Sequence, residues 1–266
     1  MSVYVDLLRY RELFGNLWRR DLRAKYKGSV LGVAWSLVNP LLLMGVYTLV
    51  FSLLWKAVGG IPHYPLFLLC GLCVWIFFSS TLTIASRSLV DAAALIRKVR
   101  FPRQLVPLSV VATQLVTFAV MLVALMILDF ALIPETRKTV WLALPISVAI
   151  VALVGGVALI VASLNVLFRD IEHLIAALLL PWFFLTPIIY SFEQLPGAVT
   201  EHQTLVEFLR YANFITPPIN ALRDPLFWGR LPRAIDVIYL CVAAVVSLAL
   251  GAYVFTRADD RVAVEL

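Results

Sequence analysis

The chain has 266 residues, of which 62% are hydrophobic and 14% are charged, and its formal net charge at pH 7 is +6. So few charged residues cannot cover the surface of a water-soluble domain of this length, which excludes a soluble globular protein. A bilayer crossing needs about 20 apolar residues, so the length allows several crossings. The composition predicts an all-α polytopic membrane protein, in which positive charge marks cytoplasmic segments and says little about nucleic acid.

The first 28 residues combine apolar residues at helical spacing with seven basic residues. The apolar positions follow the i, i+3, i+4, i+7 pattern and are Tyr4, Leu7, Leu8, Phe14, Leu17, Trp18 and Leu22. Residues 1–28 therefore predict a cytoplasmic amphipathic helix in the membrane interface, bending into the first span between Gly28 and Gly32. Because charge recurs through this segment, we expect no secretory signal peptide. By itself, the helix would either only fix the topology or also bind a partner.

Six windows with few or no charged residues predict six transmembrane helices. They cover about 29–55, 61–86, 104–128, 141–167, 174–192 and 237–256. Each is close to or above the length of a spanning helix, the open-chain structure that satisfies its own backbone polar groups. Pro181 and Pro187 make the fifth window the one most expected to bend. No window carries an ionisable residue near its middle, which disfavours an ion-coupled pump.

The distribution of lysine and arginine predicts the orientation of these helices. If both termini share one side, that side holds fifteen basic residues and the other side holds seven. Both termini are therefore expected in the cytoplasm, and residues 193–236 outside. The external segment is too apolar for a solvated loop, and Pro217, Pro218 and Pro225 interrupt it. It predicts short re-entrant helices that act as an external gate region, with a loop packed on the membrane surface as the alternative.

A second basic segment follows the second span. Residues 86–105 continue that helix until Phe101, where Pro102 disfavours helical geometry. The result is a projecting helix with a basic tip formed by Arg97, Lys98, Arg100 and Arg103. Arg169 and Asp170 lie in a third, tight cytoplasmic corner. Together with the N-terminal helix, these segments predict a docking surface for a cytoplasmic partner. The chain lacks the G-x-x-x-x-G-K-[ST] motif, so ATP would be bound by another subunit.

Several aromatic residues lie well inside the predicted spans. Sugar rings stack on aromatic faces, so such residues could line a path for a glycan, although core packing or contact with lipid is the alternative for each. The candidates for this glycan path are Trp35, Tyr47, Phe51, Trp75, Phe78, Trp182, Phe183 and Tyr190.

The sequence offers little for catalysis or metal binding. The three histidines are far apart, and no two have metal-ligand spacing. Cys70 and Cys73 form a "CGLC" motif inside an apolar run, where inert thiols are expected. Asp129 and Asp236, at the predicted external ends of two spans, are the only carboxylate pair that a membrane-embedded glycan enzyme could use. That enzyme and a passive scaffold remain alternatives to a transporter.

Four segments carry a family resemblance. In order, "RRDLRAKYKGSVLGVAWSLVNPLL", "RKVRFPRQLVPL", "LNVLFRDIEHL" and "PWFFLTPIIY" resemble the permease subunit of type-2 ABC transporters that export O-antigen, teichoic acid or other polysaccharides. The resemblance implies one permease domain over residues 1–266, working as a homodimer in a bacterial plasma (inner) membrane. It also implies a lipid-linked glycan as substrate and two copies of a separate ATPase that binds ATP and Mg. No cofactor is expected in this chain.

The same resemblance implies which residues face the ATPase. They are Arg19, Arg20, Arg23, Lys25, Lys27, Asp91, Arg97, Lys98, Arg100, Phe101, Arg103, Arg169 and Asp170. A type-2 ABC exporter of a drug or a small lipid is the alternative within the superfamily.

Overall fold

The computed structural model describes residues 9–54, 61–99, 101–191 and 203–265, and every regular element in these ranges is a helix. The α-helices are α1 (Arg11–Tyr26), α2 (Trp35–Tyr47), α3 (Tyr64–Asp91), α4 (Ala93–Lys98), α5 (Leu105–Leu132), α6 (Ala143–Leu167), α7 (Ile171–Leu185), α8 (Gln203–Ala212), α9 (Thr216–Leu226) and α10 (Ala234–Glu265). Short 3₁₀ segments lie at Gly32–Ala34, Pro134–Lys138 and Val140–Leu142, and the π-helical segment Thr48–Leu54 continues α2. The predicted all-α membrane class is confirmed for these residues.

Five helical segments are long and apolar enough to cross a bilayer. They are Gly32–Ser52, Tyr64–Lys98, Leu105–Leu132, Val140–Leu167 and Ala234–Ala258. They match the predicted first, second, third, fourth and sixth spans, although α3 and α10 extend beyond the predicted ends.

The fifth predicted span, 174–192, corresponds to a shorter helix. Helix α7 has 15 residues, which at 1.5 Å per residue gives about 22 Å, less than the ~30 Å hydrocarbon core. Thr186 has extended backbone geometry and ends the helix. Its position before Pro187 explains this, because the proline ring disfavours helical geometry in the preceding residue.

Helix α1 reaches the first span through a glycine bend. Gly28 and Gly32 both have positive φ values, 75° and 49°, which residues with a side chain rarely adopt. The bend predicted at these two glycines is confirmed. Between them the chain turns from the α1 axis into the 3₁₀ segment that precedes α2.

Helix α3 forms the centre of the bundle. It contacts α2, α5, α6, α7 and α9, and most of its side chains are buried, including Phe67 and Phe78. Helices α6 and α10 pack closely along their lengths. Between the fifth and sixth predicted spans, the structure places two short helices, α8 and α9. Almost all residues of α9 are buried against α3, α6 and α10.

Candidate transport cleft

A cleft opens along one side of the bundle, with α3 as its floor and α2 and α7 as its walls. Its volume is about 530 Å³. Tyr47, Trp75 and Phe183 contribute aromatic surface, and Asn39 contributes an amide. On α3, hydroxyl groups also face the cleft, from Ser79, Ser80 and Thr83. The cleft therefore combines flat apolar surface with neutral hydrogen-bonding groups and contains no charged side chain in its lining.

Aromatic rings form a continuous series beside this cleft. The centroid of Tyr47 lies 6.2 Å from that of Phe51 and 5.6 Å from that of Phe183, and Phe183 lies 5.6 Å from Trp75. From Trp75 the series continues through Phe78, Trp182 and Phe214 at centroid distances of 5.8, 5.3 and 5.2 Å. These distances are typical of interacting aromatic pairs. Six of the eight aromatic residues proposed from the sequence thus belong to one network.

Phe214 belongs to this network but was missed in the sequence. It precedes α9, in the segment predicted to be external, and contacts both Phe78 and Trp182. Asn213 reinforces the contact, because its Oδ1 accepts a hydrogen bond of 2.9 Å from Trp182 Nε1 and its Nδ2 donates one of 2.8 Å to Thr186. Only the chain fold brings this segment back to α3 and α7, so no local sequence pattern could have indicated the contact.

The two remaining aromatic candidates have different surroundings. Trp35 is 48% exposed at the start of α2 and lines a second part of the cleft. Tyr190 lies beyond the end of α7, where its hydroxyl donates to the Phe184 carbonyl over 3.3 Å.

The second part of the cleft runs towards α1 and has a volume of about 440 Å³. It shares Asn39, Ser80 and two apolar residues with the first part, so the two are continuous. Its polar lining comes from several elements and consists of Lys25, Tyr26, Ser29, Ser36, Asn39, Ser80, Gln114 and Thr117. Lys25 is the only charged residue among the twelve that line it.

Hydrogen bonds attach α1 to α5. Lys25 Nζ donates to Gln114 Oε1 at 2.7 Å and to Thr117 Oγ1 at 2.6 Å. One helical turn earlier, Ser109 Oγ donates to the Asp21 carboxylate at 2.6 Å. The structure therefore turns Lys25 towards the bundle. Arg20 lines an adjoining cavity together with Asp21 and Lys25. The other basic residues proposed in this segment, Arg19, Arg23 and Lys27, are exposed.

Helix α4 projects from the end of α3 with its basic tip exposed. Asp91, Arg97 and Lys98 are exposed, whereas Phe101 and Arg103 are half-buried. Phe101 packs against a small apolar cluster that also includes Leu17 of α1. The two proposed docking helices, α1 and α4, therefore pack against the same apolar cluster. Arg100 lies outside the described residues.

The third proposed docking corner precedes α7. Arg169 and Asp170 are exposed there. Asn165 Oδ1 accepts a hydrogen bond of 3.0 Å from the backbone N–H of Glu172, which satisfies an amide in the first turn of α7. The Glu172 carboxylate also lies 3.5 Å from Arg87 Nε on α3. This ion pair connects the start of α7 with the end of the helix that bears α4.

At the opposite end of the bundle, Arg223 of α9 is 3% exposed. Its guanidinium carbon lies 3.8 Å from the centroid of the Phe67 ring. Nη1 and Nη2 donate to the carbonyls of Pro187 and Ile188 at 2.9 and 3.2 Å. Arg223 therefore provides donors for carbonyls that follow the end of α7, where the helix no longer satisfies them. In the sequence, Arg223 is only one of the seven basic residues on the predicted external side.

The two carboxylates considered for catalysis lie near the ends of α5 and α10, and both are buried within the protein. Asp129 is 0% exposed and lies beside Cys70, with 4.0 Å between Oδ2 and Sγ. Asp236 is 1% exposed and lines a small arginine-rich cavity that includes Arg223 but not Asp129. The structure does not bring the two carboxylates into one cleft. Within the described ranges, no group of three histidine, cysteine or acidic residues is placed to hold a metal ion.

Comparison with known proteins defines the class. Residues 12–227 match the ABC-2 type transporter family. The O-antigen export system permease protein RfbA of Myxococcus xanthus is 33% identical over 262 residues, which cover 97% of this chain and 96% of the relative. A protein of the same name from Klebsiella pneumoniae is 35% identical over 181 residues, 66% of this chain and 68% of the relative. The chain belongs to the ABC-2 type transporter family. It is a multi-pass membrane subunit, and family membership implies a partner ATPase.

Proposed function

We propose that the chain is the transmembrane permease of an ATP-driven exporter that moves a lipid-linked polysaccharide outward across a bacterial inner membrane. The main support is the continuous cleft, which leads from Lys25 and Tyr26 past α3 to a network of aromatic rings. A path of neutral hydroxyls and flat rings suits a long chain of repeating sugars, because it offers many weak contacts and no tight site. The relatives named as O-antigen export permeases support the same class of substrate.

We further propose a homodimer whose second copy covers the open side of the cleft. Both walls carry exposed apolar side chains, Leu42 and Val46 on α2 and Leu180 and Leu185 on α7. A cleft for sugars that faced lipid would expose its hydroxyls to hydrocarbon, which is unfavourable. A second copy would close it into a channel.

For the topology, we propose six spans with both termini in the cytoplasm. Helix α7, extended by the segment that ends near residue 192, would form the fifth span. Helices α8 and α9 would lie within the outer leaflet as re-entrant helices, which the deep burial of α9 supports. Backbone that is not part of a spanning helix is tolerated at membrane depth where protein surrounds it.

Coupling to ATP hydrolysis would use α1, α4 and the corner at Arg169 and Asp170. The exposed basic tip at Arg97 and Lys98 is the proposed contact with the partner ATPase. Movement of α4 would be transmitted along α3 and through the Arg87–Glu172 ion pair to α7, which forms a wall of the cleft. The ATPase would supply the nucleotide and Mg, because this chain has no phosphate-binding loop.

The coupling proposal is tested with the permease and its ATPase reconstituted in proteoliposomes. The double variant R97E/K98E should lower ATP-dependent polysaccharide transport about 10-fold or more, because two attractive contacts with the ATPase become repulsive. The charge reversal K138E, at an exposed lysine in the segment Pro134–Lys138, is the matched control and should leave transport unchanged. Normal transport by R97E/K98E would contradict the coupling role of α4. Absence of polysaccharide transport by the wild-type complex would contradict the export function.

A further inference from the structure

The part of the cleft beside α1 contains a cation, Lys25, and no acidic side chain in its own lining. None of the twelve residues that line it is acidic, and the two partners of Lys25 Nζ are the neutral oxygens of Gln114 and Thr117. The Tyr26 hydroxyl also interacts with this ammonium group. An anion in the cleft would give a stronger, charge-assisted contact than these neutral groups do. Partial burial lowers the pKa of Lys25 from its usual value of 10.5, because the charged form loses solvation there. An anion would compensate this positive charge.

Hydroxyl groups surround the same point. The Tyr26 and Ser36 hydroxyls lie 2.8 Å apart, and the Thr117 hydroxyl lies 3.4 Å from Tyr26 and 3.3 Å from Ser36. Because each hydroxyl can rotate its proton, the cluster can donate several hydrogen bonds to one oxyanion. A lysine beside multiple hydroxyl donors has the chemistry of a phosphate site.

The surroundings indicate that the anion belongs to a lipid. Trp35, which lines the cleft, is an exposed apolar residue in the predicted membrane interface, as are Val30 and Leu31 between it and the lining residue Ser29. An acyl or prenyl chain could lie against them while its headgroup enters the cleft. On the other side, the cleft continues to the aromatic network, where the sugars would lie.

We propose that Lys25, with the hydroxyls of Tyr26, Ser36 and Thr117, binds the phosphate headgroup of the lipid-linked substrate. This inference rests on the proposed export function and names the part of the substrate that Lys25 recognises. Two carboxylates lie in the adjoining cavity, and neither opposes the site strongly. Asp21 pairs with Arg20 at 2.8 Å and accepts a hydrogen bond from Ser109, and Asp91 is exposed to solvent.

The test measures binding of radiolabelled polyprenyl diphosphate to the full permease–ATPase complex in nanodiscs. K25Q keeps a hydrogen-bonding side chain but removes the charge, and it should raise the Kd about 10-fold, the effect expected for one charge-assisted contact. K25R should remain within about 3-fold of the wild type because it keeps the charge. K138Q, on an exposed lysine far from the cleft in sequence, should bind like the wild type. Elution of each variant as an intact complex excludes misfolding as the cause.

Three results would overturn the site. They are an unchanged Kd for K25Q, equal competition by neutral polyprenol, and equal competition by free inorganic diphosphate at the same concentration. Equal competition by inorganic diphosphate would show that the cleft binds the diphosphate group and that the lipid chain adds nothing to the affinity. A complex that binds polyprenyl diphosphate through Lys25 but exports no polysaccharide would contradict the proposed function and leave the site in place. Export with a wild-type Kd in K25Q would contradict the site and leave the function in place.

Discussion

Helices α6 and α10 pack backbone against backbone, whereas α2 and α7 stand apart on either side of a cleft. Both pairs are made of apolar residues, and the windows around α2 and α10 have mean hydropathies of 1.7 and 2.4. The two helix pairs differ in the size of the residues at their contact. Small residues let membrane helices approach closely, while prolines and large aromatic rings hold α2 and α7 away from such contact. The two helix pairs thus differ in how closely their backbones approach each other.

The largest expected effect tests the close helix pair. A Cβ atom added at Gly156 of α6 would overlap the backbone of Ser247 on α10. G156A should therefore destabilise the protein by about 3 kcal/mol, because backbone atoms cannot rotate away as a side-chain end can. Gly155 has no atom within 4 Å of its added Cβ, so G155A is the matched control. We expect G155A to be neutral or stabilising by up to ~1 kcal/mol, from helix propensity.

The measurement is thermal unfolding of both variants in the same detergent, followed by intrinsic fluorescence. Equal melting temperatures for G155A and G156A would show that α6 and α10 are not held together at this contact. The distinction between the two helix pairs would then need another explanation.

The next effect concerns Arg223, the buried arginine that connects α9 with the segment after α7. R223L removes both donors to the Pro187 and Ile188 carbonyls and should destabilise the protein by about 2 kcal/mol, because buried carbonyls are left without partners. R137L removes an exposed arginine that donates to the Phe130 carbonyl, and it should change stability by less than about 0.5 kcal/mol. Chemical denaturation of the two variants in one detergent compares them. A smaller effect for R223L than for R137L would contradict this role of Arg223.

A smaller effect is expected at the cleft between α2 and α7, and it concerns transport more than stability. F183L keeps an apolar side chain but removes the ring that contacts Tyr47 and Trp75. Loss of one ring on which a passing sugar stacks, worth about 1 kcal/mol in the rate-limiting step, should slow polysaccharide export ~5-fold. F130L, at an exposed phenylalanine outside the cleft, should export at the wild-type rate. Equal rates for F183L and F130L, measured in proteoliposomes, would show that the ring network does not contribute to transport.

The smallest effect is the pH dependence of stability at Lys25. Because its pKa is lowered on folding, the unfolded chain binds more protons between the folded pKa and 10.5. Stability should therefore rise as the pH increases through that interval. The gain should not exceed ~0.5 kcal/mol, because the side chain is partly exposed and water screens its charge. K25Q should abolish this rise, whereas K138Q should retain it. Melting temperatures between pH 8 and 10.5 provide the comparison, and an identical rise in K25Q would exclude Lys25 as its source.

Several features of the fold followed directly from residue patterns. The uncharged windows located five long helices, because crossing hydrocarbon requires a minimum length of apolar residues whatever their neighbours are. Gly28 and Gly32 located the bend after α1, because their effect on the backbone is local. The helix predicted to continue to Phe101 before Pro102 instead breaks at Ala92 and ends at Lys98. The fifth window was less informative, because hydropathy continues across Thr186 and Pro187 where the helix stops.

Sequence by itself therefore determined the class of protein, the positions of five of the six predicted apolar helices and the positions of the basic segments. Tertiary structure decided which residues meet. It joined Lys25 to Gln114, brought Phe214 to Trp182, and buried Arg223 against Phe67. These contacts join positions that are distant in the chain, whereas hydropathy and helical period describe only each segment and its own neighbours. The proposed function of the cleft depends on such distant contacts, so the sequence could suggest candidate residues but not which of them lie together.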